Sequence, residues 1–99
     1  MQTVKTREKV GWPSGELTDN FEFSCSTEGG VFTFHFKWLN NRWNLWVTLP
    51  DGDVRQAGVI PNVVSWSESK NYGLLFKSVL EAVDYNSLFM TELYILTWA

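Results

Sequence analysis

Residues 32–49 read FTFHFKWLNNRWNLWVTL, and the pattern of this stretch decides the fold. Phe32, Phe34, Phe36 and Trp38 occupy every second position, an Asn-Asn pair follows, and the alternation resumes at Trp43, Leu45, Val47 and Leu49. A period of two marks a strand with one buried face. Asn enters the left-handed backbone region at little cost, so Asn40-Asn41 predicts a two-residue primed turn, which fixes the cross-strand register. In that register Trp38 faces Trp43, Phe36 faces Leu45, Phe34 faces Val47 and Phe32 faces Leu49. The opposite side pairs Lys37 with Asn44, His35 with Trp46 and Thr33 with Thr48. A slip of one residue would set aromatic against polar positions along the whole hairpin, so the sequence specifies its own pairing. Most of these rings are therefore core. Trp46, on the polar side, is the exception.

Outward from the hairpin, further strands follow from local signals. DNFEFSC, about residues 20–25, alternates and is joined to the hairpin by STEGG, where Gly29 and Gly30 are expected to supply positive φ. Pro50-Asp51-Gly52-Asp53 is a turn, and VRQAGVI returns as a short strand, completing a four-stranded meander. Residues 2–10 alternate well enough for another strand, placing Lys5, Arg7 and Lys9 on one face and Glu8 on the other, a solvated pattern that guards a sheet edge. Beyond Pro61 a short strand at 63–66 and a polar loop at 67–73 are expected. Residues 74–84 read either as a strand, GLLFKSV, running into a loop, or as a short helix with an apolar stripe of Phe76, Val79, Leu80 and Val83; the strand is favoured at the start. TELYILTW is a strand with Leu93 and Ile95 on one face and Tyr94, Leu96 and Trp98 on the other, bulky on both sides and hence central or covered. The fold class is all-β: a small antiparallel sandwich, or a partly open barrel of the OB type, in one domain over residues 1–99.

Composition narrows the function. A net charge of -3 and a pI of about 5.0, with scattered basic residues, argue against nucleic-acid binding through phosphate neutralisation. The single Cys25 excludes an internal disulfide and, in phase with Phe21 and Phe23, reads as an inert thiol. No export signal or membrane span is legible, and no cofactor or metal motif. The Asp51-Gly52-Asp53 spacing lacks the further oxygens of a calcium loop. His35 has no catalytic companion, and Glu81 with Asp84 implies no acid–base pair, so the chain does not read as an enzyme. Six Trp in 99 residues need covering, by the core or by a partner. Exposed Trp46, Trp12 and Trp66 would also suit a carbohydrate-binding or single-strand-binding module.

The stretch FTFHFKWLNNRWNLWVTLPDGDVRQAGVIPNVVSW resembles the baseplate plug proteins of contractile-tailed phages, a family of small β domains. The shared pattern is an aromatic strand (Phe34, Phe36, Trp38), a short Asn-rich turn (Asn40, Asn41, Arg42), a second strand with Trp43 and Leu45, the Asp51-Gly52 turn, and the run from Gly58 to Val64. It spans about residues 31–66. TELYILTW matches the closing strand, whereas SKNYGLLFKSVLEAVDYNSLFM departs from the pattern. The resemblance implies a structural part of the virion, assembled in the host cytoplasm, near the hub and distal end of the tail tube. It implies hub and tube proteins as partners, three- or six-fold symmetry, and no catalytic residue. The residues expected at protein interfaces are His35 and Trp46 on the outer hairpin face and Tyr94 and Trp98 on the last strand, the alternative for the last two being that they complete the core.

Overall fold

A computed structural model describes residues 3–66 and 71–98. The described residues form eight strands: β1 (Val4–Val10), β2 (Asn20–Thr27), β3 (Gly30–Leu39), β4 (Arg42–Thr48), β5 (Val54–Gly58), β6 (Val64–Ser65), β7 (Tyr72–Lys77) and β8 (Glu92–Trp98). They make two separate four-stranded sheets, ordered β2-β3-β4-β5 and β1-β8-β7-β6, and all the strand pairs are antiparallel. The sheets pack face to face as a sandwich. No described strand is shared between them, which decides against the barrel alternative.

The first sheet is the expected meander. Asn40 and Asn41 take φ of 55° and 58°, the primed turn, and the register runs Phe34 to Val47, His35 to Trp46, Phe36 to Leu45 and Trp38 to Trp43. Of the two glycines in the β2–β3 turn, only Gly30 has positive φ, at 123°. Its Cβ would also lie 2.7 Å from the Pro50 ring, so close backbone approach selects glycine there. At the Asp51 turn, the Asp53 amide donates to Asp51 Oδ1 at 2.9 Å and the Gly52 amide to the Leu49 carbonyl at 2.9 Å.

Alternation sets what is buried. Phe32, Phe34, Phe36, Leu45 and Val47 point inward from β3 and β4, and Leu74, Phe76, Leu93, Ile95 and Val10 meet them from the other sheet. Each such side chain contributes roughly 1.5–3 kcal/mol over leaving it in water. β8 lies between β1 and β7, the central position its two bulky faces required.

Residues 74–84 do not form a helix. Tyr72–Lys77 is a strand, because Tyr72, Leu74 and Phe76 alternate into the core and β7 hydrogen-bonds to both β6 and β8. The helical stripe fails at Val79, which is fully exposed while Phe76 is buried. The one helical turn among the described residues is a 3-10 helix at Tyr85–Met90. Asp84 caps it, accepting from the Asn86 and Ser87 amides at 3.0 Å each, while the Asp84 amide donates to Ser87 Oγ at 2.9 Å. The strand expected at 63–66 is reduced to Val64–Ser65. The expected polar loop at 67–73 falls partly outside the described residues, and β7 already begins at Tyr72.

Candidate protein-interaction surfaces

Because β3 and β4 alternate, burying Phe34, Phe36, Leu45 and Val47 turns His35, Lys37 and Trp46 onto the outer face of the meander sheet. The register continues this row from Glu22 through His35 and Trp46 to Gln56. Trp46 is half-buried. His35 lies beside it with ring centroids 6.1 Å apart, and Lys37 Nζ stands 6.0 Å above the indole. His35 Nε2 is in turn 2.7 Å from Asn20 Oδ1. The Trp46 ring is thus flanked by side chains of its own sheet, unlike a bare stacking platform.

Tyr94 and Trp98 project from the outer face of the opposite sheet, so the four expected interface residues fall on two opposed faces and do not converge. Neither belongs to the inter-sheet core. The Tyr94 hydroxyl donates to Glu92 Oε2 at 2.8 Å, the Arg7 guanidinium lies 4.8 Å over the Tyr94 ring, and Lys9 is 3.5 Å from Glu92. The Tyr94 bond, then the Lys9 charge, holds the Glu92 carboxyl below its ordinary range, and the same bond raises the Tyr94 hydroxyl. Trp98 lies across Gly73, where a Cβ would run into the indole. Leu96, between Gly73 and Arg7 in the register, is only 2% exposed, so this outer face holds a small apolar cluster of its own. The Trp98 indole N–H is occluded and has no acceptor among the described residues.

The other candidates become structural. Trp12 inserts between the sheets, its ring centroid 5.6 Å from Phe36, 5.9 Å from Phe23, 6.4 Å from Phe76 and 5.3 Å from Phe89, and its Nε1 donates to the Thr91 carbonyl at 2.7 Å. Trp66, with φ of 63°, donates from Nε1 to the Gln56 carbonyl at 3.0 Å and lies under Arg55, closing the β5 edge. Cys25 is half-buried, and burial, followed by the charge of Glu8, pushes its thiol up, away from the reactive thiolate. No group of three or more His, Cys, Asp or Glu side chains among the described residues is arranged to hold a metal ion. No helix among them is long and apolar enough to cross a membrane.

A surface that the sequence did not announce lies at one end of the sandwich. The 59–63 segment and the loop after β7 are tied together by Asn62, whose Nδ2 donates to the Ser78 carbonyl at 2.8 Å and whose amide donates to the Phe76 carbonyl at 2.7 Å. Ile60 and Val63 are thereby brought to the same end as Val79 and Leu80, and all four are exposed, Val79 completely at 102%. Beside them a cleft of about 560 Å³ is floored by Trp43, Ala57 and Val83, with Arg42 and Glu81 at its sides. Comparison with family models, curated proteins and solved structures returns no match.

Proposed function

We propose that this chain is a structural part of a contractile phage tail, acting by protein–protein assembly near the hub and the distal end of the tail tube. The resemblance of residues 31–66 to baseplate plug proteins supplies the setting. The observation that carries the reading is the apolar end formed by Ile60, Val63, Val79 and Leu80 beside an open cleft. Side chains of this kind, gathered on a hydrogen-bonded support, mark a surface that another protein covers. The partners in this reading are hub and tube proteins, in an arrangement of three- or six-fold symmetry. Catalysis has no part in it, and the place of action is the virion, after assembly in the host cytoplasm.

The test is co-purification. The chain is co-expressed with the tube and hub proteins of the same phage, alongside a variant carrying Val79→Asp and Leu80→Asp. Both positions are exposed, so the variant is expected to fold with an unchanged circular dichroism spectrum and to lose its partners. Equal retention of variant and parent would remove this surface from the assembly, and no retention of either would refute the role.

A further inference from the structure

The side of the sandwich formed by β1 and β2 is open. Phe21, Phe23, Cys25 and Thr27 point inward from β2 yet are only half-buried, whereas Phe32, Phe34 and Phe36 on the neighbouring strand are at most 1% exposed. β1 is exposed along its length up to Val10. Between the two edges lies a cavity of about 560 Å³, walled by Thr6 and Glu8 on one side and Thr27 and Glu28 on the other, with Phe32 and Ile95 at its base. Each edge also presents a row of backbone N–H and C=O groups that no other described strand pairs with. β2 is lightly guarded: over eight residues it has no proline, lysine or arginine, and Glu22 is its one charge.

Charge is divided between the edges. β1 bears Lys5, Arg7 and Lys9 on its outer face, with Glu8 turned toward the cavity, while β2 and its adjoining turns bear Asp19, Glu22 and Glu28. Pairing β1 with a second β1 would set the three cations against one another, and pairing β2 with a second β2 would do the same with the acids. Pairing β1 with β2 sets opposite charges side by side.

The fold also provides direction and register. Within one chain Thr6 shares a cavity with Thr27, Glu8 is near enough to raise the Cys25 thiol, and Trp12 packs on Phe23, so β1 and β2 run in opposite senses at matching heights. A two-fold axis parallel to the strands keeps heights unchanged and exchanges the layers. It therefore lays β1 antiparallel beside β2 of a second copy, with inward residues next to inward residues. Lys5 then comes beside Glu28 of the second copy, and Lys9 comes beside Ser24 and diagonal to Glu22.

We propose that the partner of this open side is a second copy of the chain, with β1 of each copy added to β2 of the other. The four-stranded sheets join pairwise into two continuous sheets across the two-fold axis, the half-buried Phe21 and Phe23 are covered, and both cavities close. This association is separate from the apolar end at Val79 and does not depend on the tail role.

Sedimentation velocity over a concentration series tests it, using the whole chain and charge-reversed variants at exposed positions. The parent chain sediments as a dimer. Lys5→Glu with Lys9→Glu, or Glu22→Lys with Glu28→Lys, weakens the dimer by about ten-fold or more, because the two-fold axis repeats every reversed pair. All four changes together restore it, which a merely unfolded or destabilised variant would not do. A parent chain that stays monomeric up to millimolar concentration overturns the proposal. So does a dimer indifferent to these reversals, or one abolished by Val79→Asp with Leu80→Asp.

Discussion

Replacing Trp12 by Ala is the sharpest probe of how the two sheets are held together. The ring touches Phe23 and Phe36 of the meander sheet, Phe76 of the other sheet and Phe89 of the 3-10 helix, and its N–H donates to the Thr91 carbonyl. Truncating a core Phe or Trp to Ala costs about 3–5 kcal/mol. Trp12 is half-buried, which places the expected loss near the lower end, about 3 kcal/mol. A domain of this size has about 5–15 kcal/mol in hand, so even at the low end about 2 kcal/mol remains and the variant folds at 25 °C. Its Tm falls by roughly 12–24 °C, at about 4–8 °C per kcal/mol. Trp12→Phe keeps the ring contacts and loses the hydrogen bond, an expected cost of about 1 kcal/mol. Urea titrations followed by far-ultraviolet circular dichroism measure both, since removing a Trp alters the fluorescence baseline. A loss below about 1 kcal/mol for the Ala variant would refute the bridging role and return Trp12 to the surface.

Two further outcomes follow from the outer face of the β1-β8-β7-β6 sheet. Gly73→Ala should cost about 1–3 kcal/mol through collision with the Trp98 indole, and Trp98→Ala in the same chain should recover part of that loss; a neutral Gly73→Ala would show that the indole lies elsewhere. The Glu92–Tyr94 bond should make the stability difference between parent and Tyr94→Phe depend on pH. Glu92 titrates below its unfolded value, so its share is present above the ordinary carboxylate range and is lost as pH falls through the folded pKa. Tyr94 titrates above its unfolded value, so its share is present below about pH 10 and is lost as pH rises through the folded pKa. Thermal melts of both chains should converge at each extreme, and a difference that grows toward acid pH would contradict this.

Local chemistry made the hairpin legible residue by residue: period-two alternation and an Asn-Asn turn leave one register in which apolar faces apolar, and that register forms. The central place of β8 was legible for a related reason, since bulky residues on both faces of TELYILTW need covering on both sides. What the sequence withheld was long-range. Nothing local shows that Trp12, after a strand and before a proline, lies between sheets that meet only in the folded chain. The 74–84 stretch satisfied a helical stripe and a strand alternation at once, and strand partners on both sides of β7 decided between them. His35 and Trp46 lie on an outer face, as their parity in the hairpin dictates. That Tyr94 and Trp98 lie on the opposite side of the molecule depends on how the two sheets stack. The exposed end at Val79 and Leu80 had no sequence signal distinct from core, because an apolar residue beyond a strand looks the same whether it packs or not.

The measurement that bears most directly on the proposed role is the protein content of contractile tails purified from cells that carry this sequence, combined with electron cryomicroscopy of the same particles. An assembly part is expected in the intact tails at three or six copies per tail, as three- or six-fold symmetry sets, with density for the two-sheet sandwich near the hub at the distal end of the tube. Tails that lack the chain, while it remains in the tail-free supernatant, would contradict the proposal.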